Sequence, residues 1–137
     1  MLGHKIQWEE LSISLSASRL LTVSTFLRNT PGLEYNFLSD LTAVDWGLEA
    51  EPRFEVVYQL YSTRHRHRIR LKVPVNDGEG VPTVTSVWKT ANWHERETYD
   101  MFGIRFDGHP DLRRILMADD YEGHPLRKDF PLRGYQR

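Results

Sequence analysis

Between Arg53 and Pro74 the chain alternates apolar and polar residues twice over. Phe54, Val56, Tyr58 and Leu60 are interleaved with Arg53, Glu55, Val57, Gln59 and Tyr61. Further on, Ile69, Leu71 and Val73 are interleaved with Arg64, Arg66, Arg68, Arg70 and Lys72. Period two sends one set of side chains to each face of a strand, so the pattern predicts a β-hairpin with one apolar and one basic face. A four-residue turn at Tyr61-Ser62-Thr63-Arg64 puts Leu60 opposite His65, Val56 opposite Ile69, Phe54 opposite Leu71 and Glu55 opposite Arg70. An odd loop would split the two apolar rows between opposite faces. A lone two-stranded ribbon is at best marginally stable, so other parts of the chain must cover its apolar side.

The remaining sequence supplies that cover. A length of 137 residues suits one domain with one real core. Leu11-Ser12-Ile13-Ser14-Leu15 alternates like a short strand. Leu20, Leu21, Val23, Phe26 and Leu27 recur near helical spacing from Ser18 to Asn29, with Ser16 or Ser18 as N-cap and Asn29-Thr30-Pro31-Gly32 as the stop. Phe37 to Val44 reads as a strand running into the acidic loop at Asp45-Trp46-Gly47, with a helix as the alternative. Asn76 to Gly80 reads as a flexible loop. Val87, Ala91, Tyr99, Met101 and Phe102 suit a helix from about Thr85 to Phe102, kinked near Asn92 and ended by Gly103. The expected fold is α+β: a mixed β-sheet packed by two main helices in two layers, followed by an extended C-terminal arm. The domain boundary is expected at 1–103, with the arm at 104–137.

That arm is rich in glycine and proline but keeps Phe106, Leu112, Leu116, Tyr121, Phe130 and Tyr135, too many large apolar groups for a solvated linker. It is expected to lie on another surface, its own body or a partner. It also holds a near repeat, Gly108-His109-Pro110-Asp111-Leu112-Arg113-Arg114 and Gly123-His124-Pro125-Leu126-Arg127-Lys128.

The absence of cysteine excludes disulfides, cysteine-held metal centres and thiol nucleophiles in this chain. No apolar run is long enough to span a membrane, and no signal peptide is expected. A formal charge of −1 gives no overall attraction to polyanions. The stripe from Arg64 to Lys72 covers about 26 Å of strand. It could track phosphates, but base stacking needs aromatic platforms and only Tyr61 is at hand. A solvated face partly neutralised by Glu55, or a salt-bridged protein contact, is the preferred reading. His65 and His67 share a strand face. His94-Glu95-Arg96-Glu97-Thr98 opens like the zinc-protease HExxH, yet Thr98 stands where the second histidine belongs, so no metal site is expected. Glu97 and Asp100 share a helix face, whereas Glu95 and Glu97 point about 200° apart and cannot act as a facing carboxylate pair. Beside Trp93, Tyr99, Met101 and Phe102, this cluster reads either as a solvated charged face or as partly buried pairs with the arginines of the arm. Gly78-Glu79-Gly80 lacks the rest of a phosphate loop, and no nucleophile elbow is present. No catalytic residue is expected.

The run Glu95-Arg96-Glu97-Thr98-Tyr99-Asp100-Met101-Phe102-Gly103, then His109, Arg113, Ile115 and Leu116, then His124 to Leu132, resembles the signature of the C-type subunit of NADH-quinone oxidoreductase, respiratory complex I. The helix before Pro31-Gly32, Leu38 to Asp45, Phe54 to Tyr58 and Ala91-Asn92-Trp93 resemble that family too. The likeness covers roughly Ser18 to Tyr135, departing at His94 and in the basic strand. It implies a peripheral-arm component without a redox centre, bracing its neighbours near the quinone-reducing site. FMN and iron–sulfur clusters would belong to partner subunits, with quinone as substrate of the complex. The arm would run over the D-type component of the complex, with the B-type component also a neighbour, its charges forming interfacial ion pairs. Membrane association would come only through the complex, on the cytoplasmic side of a bacterial inner membrane or an organellar equivalent, and no nucleic acid would be bound. The interface and signature residues so implied are Glu95, Arg96, Glu97, Asp100, Gly103, His109, Arg113, Arg114, Pro125, Leu126, Arg127, Lys128 and Asp129. Relatives of the complex, such as an NDH-type complex or a membrane-bound hydrogenase, share the signature. A stand-alone RNA-binding module is the rival of a different class.

Overall fold

A computed structural model describes residues 3–7, 10–114, 116–117 and 123–128. The elements in chain order are β1 (Gly3–Gln7), β2 (Glu10–Ser14), α1 (Ala17–Asn29), β3 (Phe37–Asp45), β4 (Phe54–Ser62), β5 (His67–Val75), β6 (Gly80–Pro82), α2 (Ala91–Phe102) and β7 (Arg105–Asp107). Five strands form one sheet in the order β1-β2-β5-β4-β3. Within it β2 and β5 run parallel and the other neighbours antiparallel, so the sheet is mixed. Strands β6 and β7 form a separate parallel pair.

The hairpin forms with its two apolar rows on one face, as the alternation requires, but in a different register. Leu60 lies opposite Ile69, Tyr58 opposite Leu71, Val56 opposite Val73 and Phe54 opposite Val75. Glu55 faces Pro74, and Arg70 faces Gln59 instead of an acid. The turn is again four residues long but sits at 63–66. There the Ser62 hydroxyl accepts the His65 N–H (3.2 Å), and the Ser62 carbonyl accepts that of Arg66 (2.8 Å). Arg66 takes the left-handed conformation at φ 55°. Because both loops are even, parity and the apolar face survive the shift. The later turn lengthens the ladder and moves Arg64 and Arg66 off the strand.

One core joins these strands to both helices. On α1, Leu20, Ser24 and Leu27 point inward one turn apart, while Leu21 and Phe26 stay exposed. The segment expected as the first half of a long helix is two tight turns instead. Val87 and Trp88 both donate to the Val84 carbonyl, Ala91 donates to Trp88 and Asn92 to Lys89. Val84, Val87, Trp88 and Ala91 are all buried, which is helical spacing without a continuous helix. Tertiary bonds hold that arrangement: the Trp88 indole donates to the Tyr35 carbonyl (2.9 Å) and the Thr90 hydroxyl to that of Leu38 (3.2 Å). Phe37–Asp45 is a strand, with a bulge between Leu38 and Asp40, so the helix alternative falls. Strands β1, β6 and β7 are too short or too weakly patterned to read from sequence.

Candidate functional site

Of the signature residues, Asp100, Gly103, Arg114, Leu126 and Arg127 converge on the C-terminal end of α2. A helix leaves its last four carbonyls without partners inside the helix. Here Gly103, left-handed at φ 77°, turns its N–H back onto Tyr99 O (2.8 Å). Residues far along the chain satisfy the other three. His124 Nδ1 donates to Asp100 O (2.9 Å), the Leu126 N–H to Met101 O (2.9 Å) and Arg127 Nη1 to Phe102 O (3.2 Å). Helix α2 has no basic residue in its own last turn, so Arg114 and Arg127 of the arm bring the positive charge that its negative end favours. His124 packs so closely on Gly103 that a β-carbon there would lie 2.7 Å from the imidazole.

Asp100 is the hub, with 0 % exposure. Its Oδ1 accepts Arg114 Nε (2.5 Å), and its Oδ2 accepts the N–H groups of Leu116 (2.7 Å) and Met117 (2.8 Å). Arg114 also donates from Nη2 to Asp100 O and to Gly123 O (2.6 Å), tying two separated pieces of the arm to one carboxylate. The charge cluster therefore resolves at this residue into a buried pair with an arm arginine.

The near repeat has a structural meaning. Gly108 and Gly123 are both left-handed, at φ 85° and 83°, and each following histidine bonds a carbonyl of α2. His109 Nε2 donates to Asn92 O (3.1 Å) while its Nδ1 accepts the Asp111 N–H (2.9 Å), which fixes a neutral tautomer. His124 does the same work at the other end of the helix.

A second clasp lies where β3 ends and β4 begins. Asp45 and Arg53 form a buried bidentate pair, both bonds 3.0 Å, and Arg53 and Arg127 both reach Asp77 (3.2 and 2.6 Å). The two guanidinium groups stand 4.9 and 5.2 Å from the Phe54 ring. The Lys128 N–H donates to Asp45 Oδ2 (2.7 Å), so the arm is fastened here too. Burial alone would raise the Asp45 carboxyl. The bonds from Arg53, Lys128 and Gly47, with the Arg53 charge, outweigh it and hold the group well below the usual carboxylate range. The loop expected to be flexible at Asn76–Gly80 thus contributes a fixed anchor at Asp77, and Gly80 opens β6.

Glu95 points the opposite way from Glu97, as its helix position requires. It has 0 % exposure and no arginine partner among the described residues. Thr83 Oγ1 (2.5 Å) and the Val84 N–H (2.8 Å) contact its two oxygens. Burial pushes its carboxyl up to about 7, against the pull of those two bonds. Arg96 donates to the carbonyls of Arg113 (3.3 Å) and Arg114 (3.4 Å) and lies 6.0 Å from the Trp93 ring. Glu97 is half-buried beside a cleft of about 210 Å³ with Asp40, Thr42 and Leu126. Arg113 makes an exposed pair with Asp111 (3.0 Å), and Pro125 is half-buried between His124 and Leu126. Asp129, with the rest of the expected arm at 129–137, lies outside the described residues. Asp45, Arg53 and Asp77 are not among the expected site residues and meet only through the tertiary fold; His124 stands in both the signature run and the repeat, which are the sequence signals for it.

On the basic strand, Arg68 stacks on Tyr61, 5.4 Å from the ring centre, and the exposed Phe37 of β3 stands opposite Tyr61 on the same face. His65 and His67 stack face to face at 5.6 Å, and His65 bonds Glu34 (3.0 Å). Among the described residues no group of three or more His, Cys, Asp or Glu is placed to hold a metal, and no helix is long and apolar enough to cross a membrane.

Residues 13–136 match the family model described as respiratory-chain NADH dehydrogenase, 30 Kd subunit. The chain is 53 % identical to the second C-type subunit of the NADH-quinone oxidoreductase of Rhizobium meliloti, over 91 % of its own length and 68 % of the relative's. It is 56 % identical to the C-type subunit of the same enzyme from Roseiflexus castenholzii, over 90 % and 71 % of the two chains. Across these and two further relatives it spans 63 to 78 % of their lengths. Among solved structures, a trypsin-resistant fragment of Nqo5 is similar at TM-score 0.69 and 33 % identity, over 80 % of this chain and 89 % of that one. A chain of the archaeal membrane-bound sulfane sulfur reductase, a respiratory membrane complex, is similar at 0.78 and 27 % identity, over 95 % and 77 %.

Proposed function

This chain belongs to the family of the 30 Kd subunit of respiratory-chain NADH dehydrogenase, and from that premise we propose that it is a structural component of the peripheral arm of an NADH:quinone oxidoreductase. The observation that carries this reading is where the signature residues are placed. Asp100, Gly103, His109, Arg114, Leu126 and Arg127 all fasten the arm to the body, and Arg114 and Asp100 are buried or nearly so. An arm fixed this firmly presents one defined surface to a neighbour, which suits a brace between subunits.

On this reading the chain contributes no catalytic residue. FMN and iron–sulfur clusters belong to its partners, and quinone is the substrate of the whole complex. The D-type and B-type components of the complex are its nearest neighbours, and it sits on the cytoplasmic side of the membrane or an organellar equivalent, held there by the complex. Residues 104–137 form the arm that reaches the D-type component. The likeness to the sulfane sulfur reductase chain supports a second reading, the equivalent component of a related respiratory complex with another electron donor or acceptor.

A mild-detergent pull-down of the chain from its native membranes, with metal analysis and identification of its companions, tests both. Iron–sulfur partners together with an NADH-oxidising subunit are expected. A different donor-side partner selects the second reading. Recovery alone, or with RNA bound in a salt-dependent way, would overturn both.

A further inference from the structure

The tip of the loop between β3 and β4 holds two of the most exposed large apolar side chains among the described residues, Trp46 at 57 % and Leu48 at 68 %. The loop is not slack. Its stem is the buried Asp45–Arg53 pair, Trp46 N–H donates to Arg53 O (2.8 Å), Gly47 N–H to Asp45 Oδ1 (2.9 Å) and Ala50 N–H to Gly47 O (3.1 Å). Two bulky apolar groups held out by a rigid stem lose little freedom when covered, which is how the energetic centre of an interface is built.

What surrounds them selects the occupant. Leu48 and Ala50 line a cleft of about 480 Å³ with Glu49, Glu51, Asn76, Asp77, Glu79 and Arg53. Arg53 is the one cation in that lining, and its guanidinium is committed to Asp45 and Asp77. Glu49, Glu51 and Glu79 have no ion-pair partner among the described residues. A neutral or acidic segment laid on this patch would bury carboxylates without compensation. The patch also adjoins the point where Lys128 is clipped to Asp45, so it is continuous with the face on which the arm ends its described course.

We infer that the 46–51 loop and the Glu49/Glu51/Glu79 rim form a docking surface for a lysine- or arginine-bearing apolar segment of a neighbouring subunit. The inference rests on the structural role proposed above and adds the chemistry of the partner.

The test places a photo-cross-linking amino acid at Leu48 in the full chain, expressed as the sole copy in its native membranes, and maps the adducts in the purified complex. A cross-link to a cationic stretch of another subunit is expected. Glu49→Lys, Glu51→Lys and Glu79→Lys together should cut its yield by roughly tenfold, while neutral glutamines at the same sites cut it less. In complex that still assembles, adducts to lipid alone or to an acidic stretch, or a yield unmoved by charge reversal, would overturn the docking surface and leave the structural role standing. Failure of even the unmodified chain to co-purify with iron–sulfur subunits would overturn the structural role, and the docking surface with it.

Discussion

The hairpin β4–β5 and the segment from Gly108 to Lys128, which follows the core residues Ile104 and Phe106, are held in opposite ways. In the hairpin, Phe54, Val56, Tyr58, Leu60, Ile69, Leu71, Val73 and Val75 are all buried in one continuous core. Each adds its own buried apolar surface to the total. The arm is held by a few buried or nearly buried polar groups, each making several bonds: Asp100 with Arg114, and Asp45 with Arg53 and Lys128. Apolar cohesion is spread out and tolerant. Polar cohesion is concentrated, because removing one member leaves its partner desolvated and unpaired.

The sharpest test of that contrast is Asp100→Ala. It removes the carboxylate that faces the Arg114 guanidinium and accepts two backbone N–H groups, and should cost about 4 kcal/mol, released chiefly as detachment of the arm. Limited proteolysis should cut the variant between 108 and 128 while the sheet stays resistant; equal loss everywhere would break the comparison. Leu71→Ala, in the middle of the sheet, should cost about 3 kcal/mol and lower the single thermal transition without favouring cleavage of the arm.

Titration gives the next test. Glu95 holds its proton to about pH 7 in the fold, whereas an unfolded carboxyl releases it near 4.5. The native state therefore binds more protons across that window, and stability falls as pH rises through it, by roughly 3 kcal/mol in all. Glu95→Gln should flatten this limb of the denaturant-melt profile and leave the acid limb untouched. Asp45 acts with the opposite sign. Its folded carboxyl is depressed, so its contribution is complete above the ordinary carboxylate range and drains away as pH falls below it. Asp45→Asn should flatten that acid limb.

Smaller effects follow. Gly103→Ala imposes a left-handed alanine and pushes a methyl against His124, which should cost about 2 kcal/mol and loosen residues 123–128 in hydrogen exchange. Arg113→Ala removes an exposed pair and should change stability by less than about 0.5 kcal/mol in the same melts. In assembled complex, Arg127→Ala and Glu95→Ala should lower the amount of complex recovered and leave turnover per complex unchanged. Normal assembly with lost turnover would contradict the bracing role.

The chain's own alternation determined the hairpin, its parity and its buried face, because period two is a local property that no neighbour can alter. Helical spacing likewise located α1 and the second half of the expected Thr85–Phe102 helix, and the Gly103 stop followed from the freedom of that residue. The same spacing misled at 84–91, where two turns bury the residues a helix would have buried, and only bonds to Tyr35 and Leu38 from elsewhere in the fold choose between them. The register of the hairpin also depended on side chains outside it, since Asn36 bonds both the N–H and the hydroxyl of Thr63 in the turn. The signature marked Asp100, His109, Arg114 and Arg127 as important without saying why. The partners that give them roles are mostly distant in sequence, from 14 residues between Asp100 and Arg114 to 50 between Asp77 and Arg127 and 83 between Asp45 and Lys128. Local pattern fixes which face of an element is apolar. Which buried charge meets which depends on how the elements are brought together, and that was decided by the tertiary structure alone.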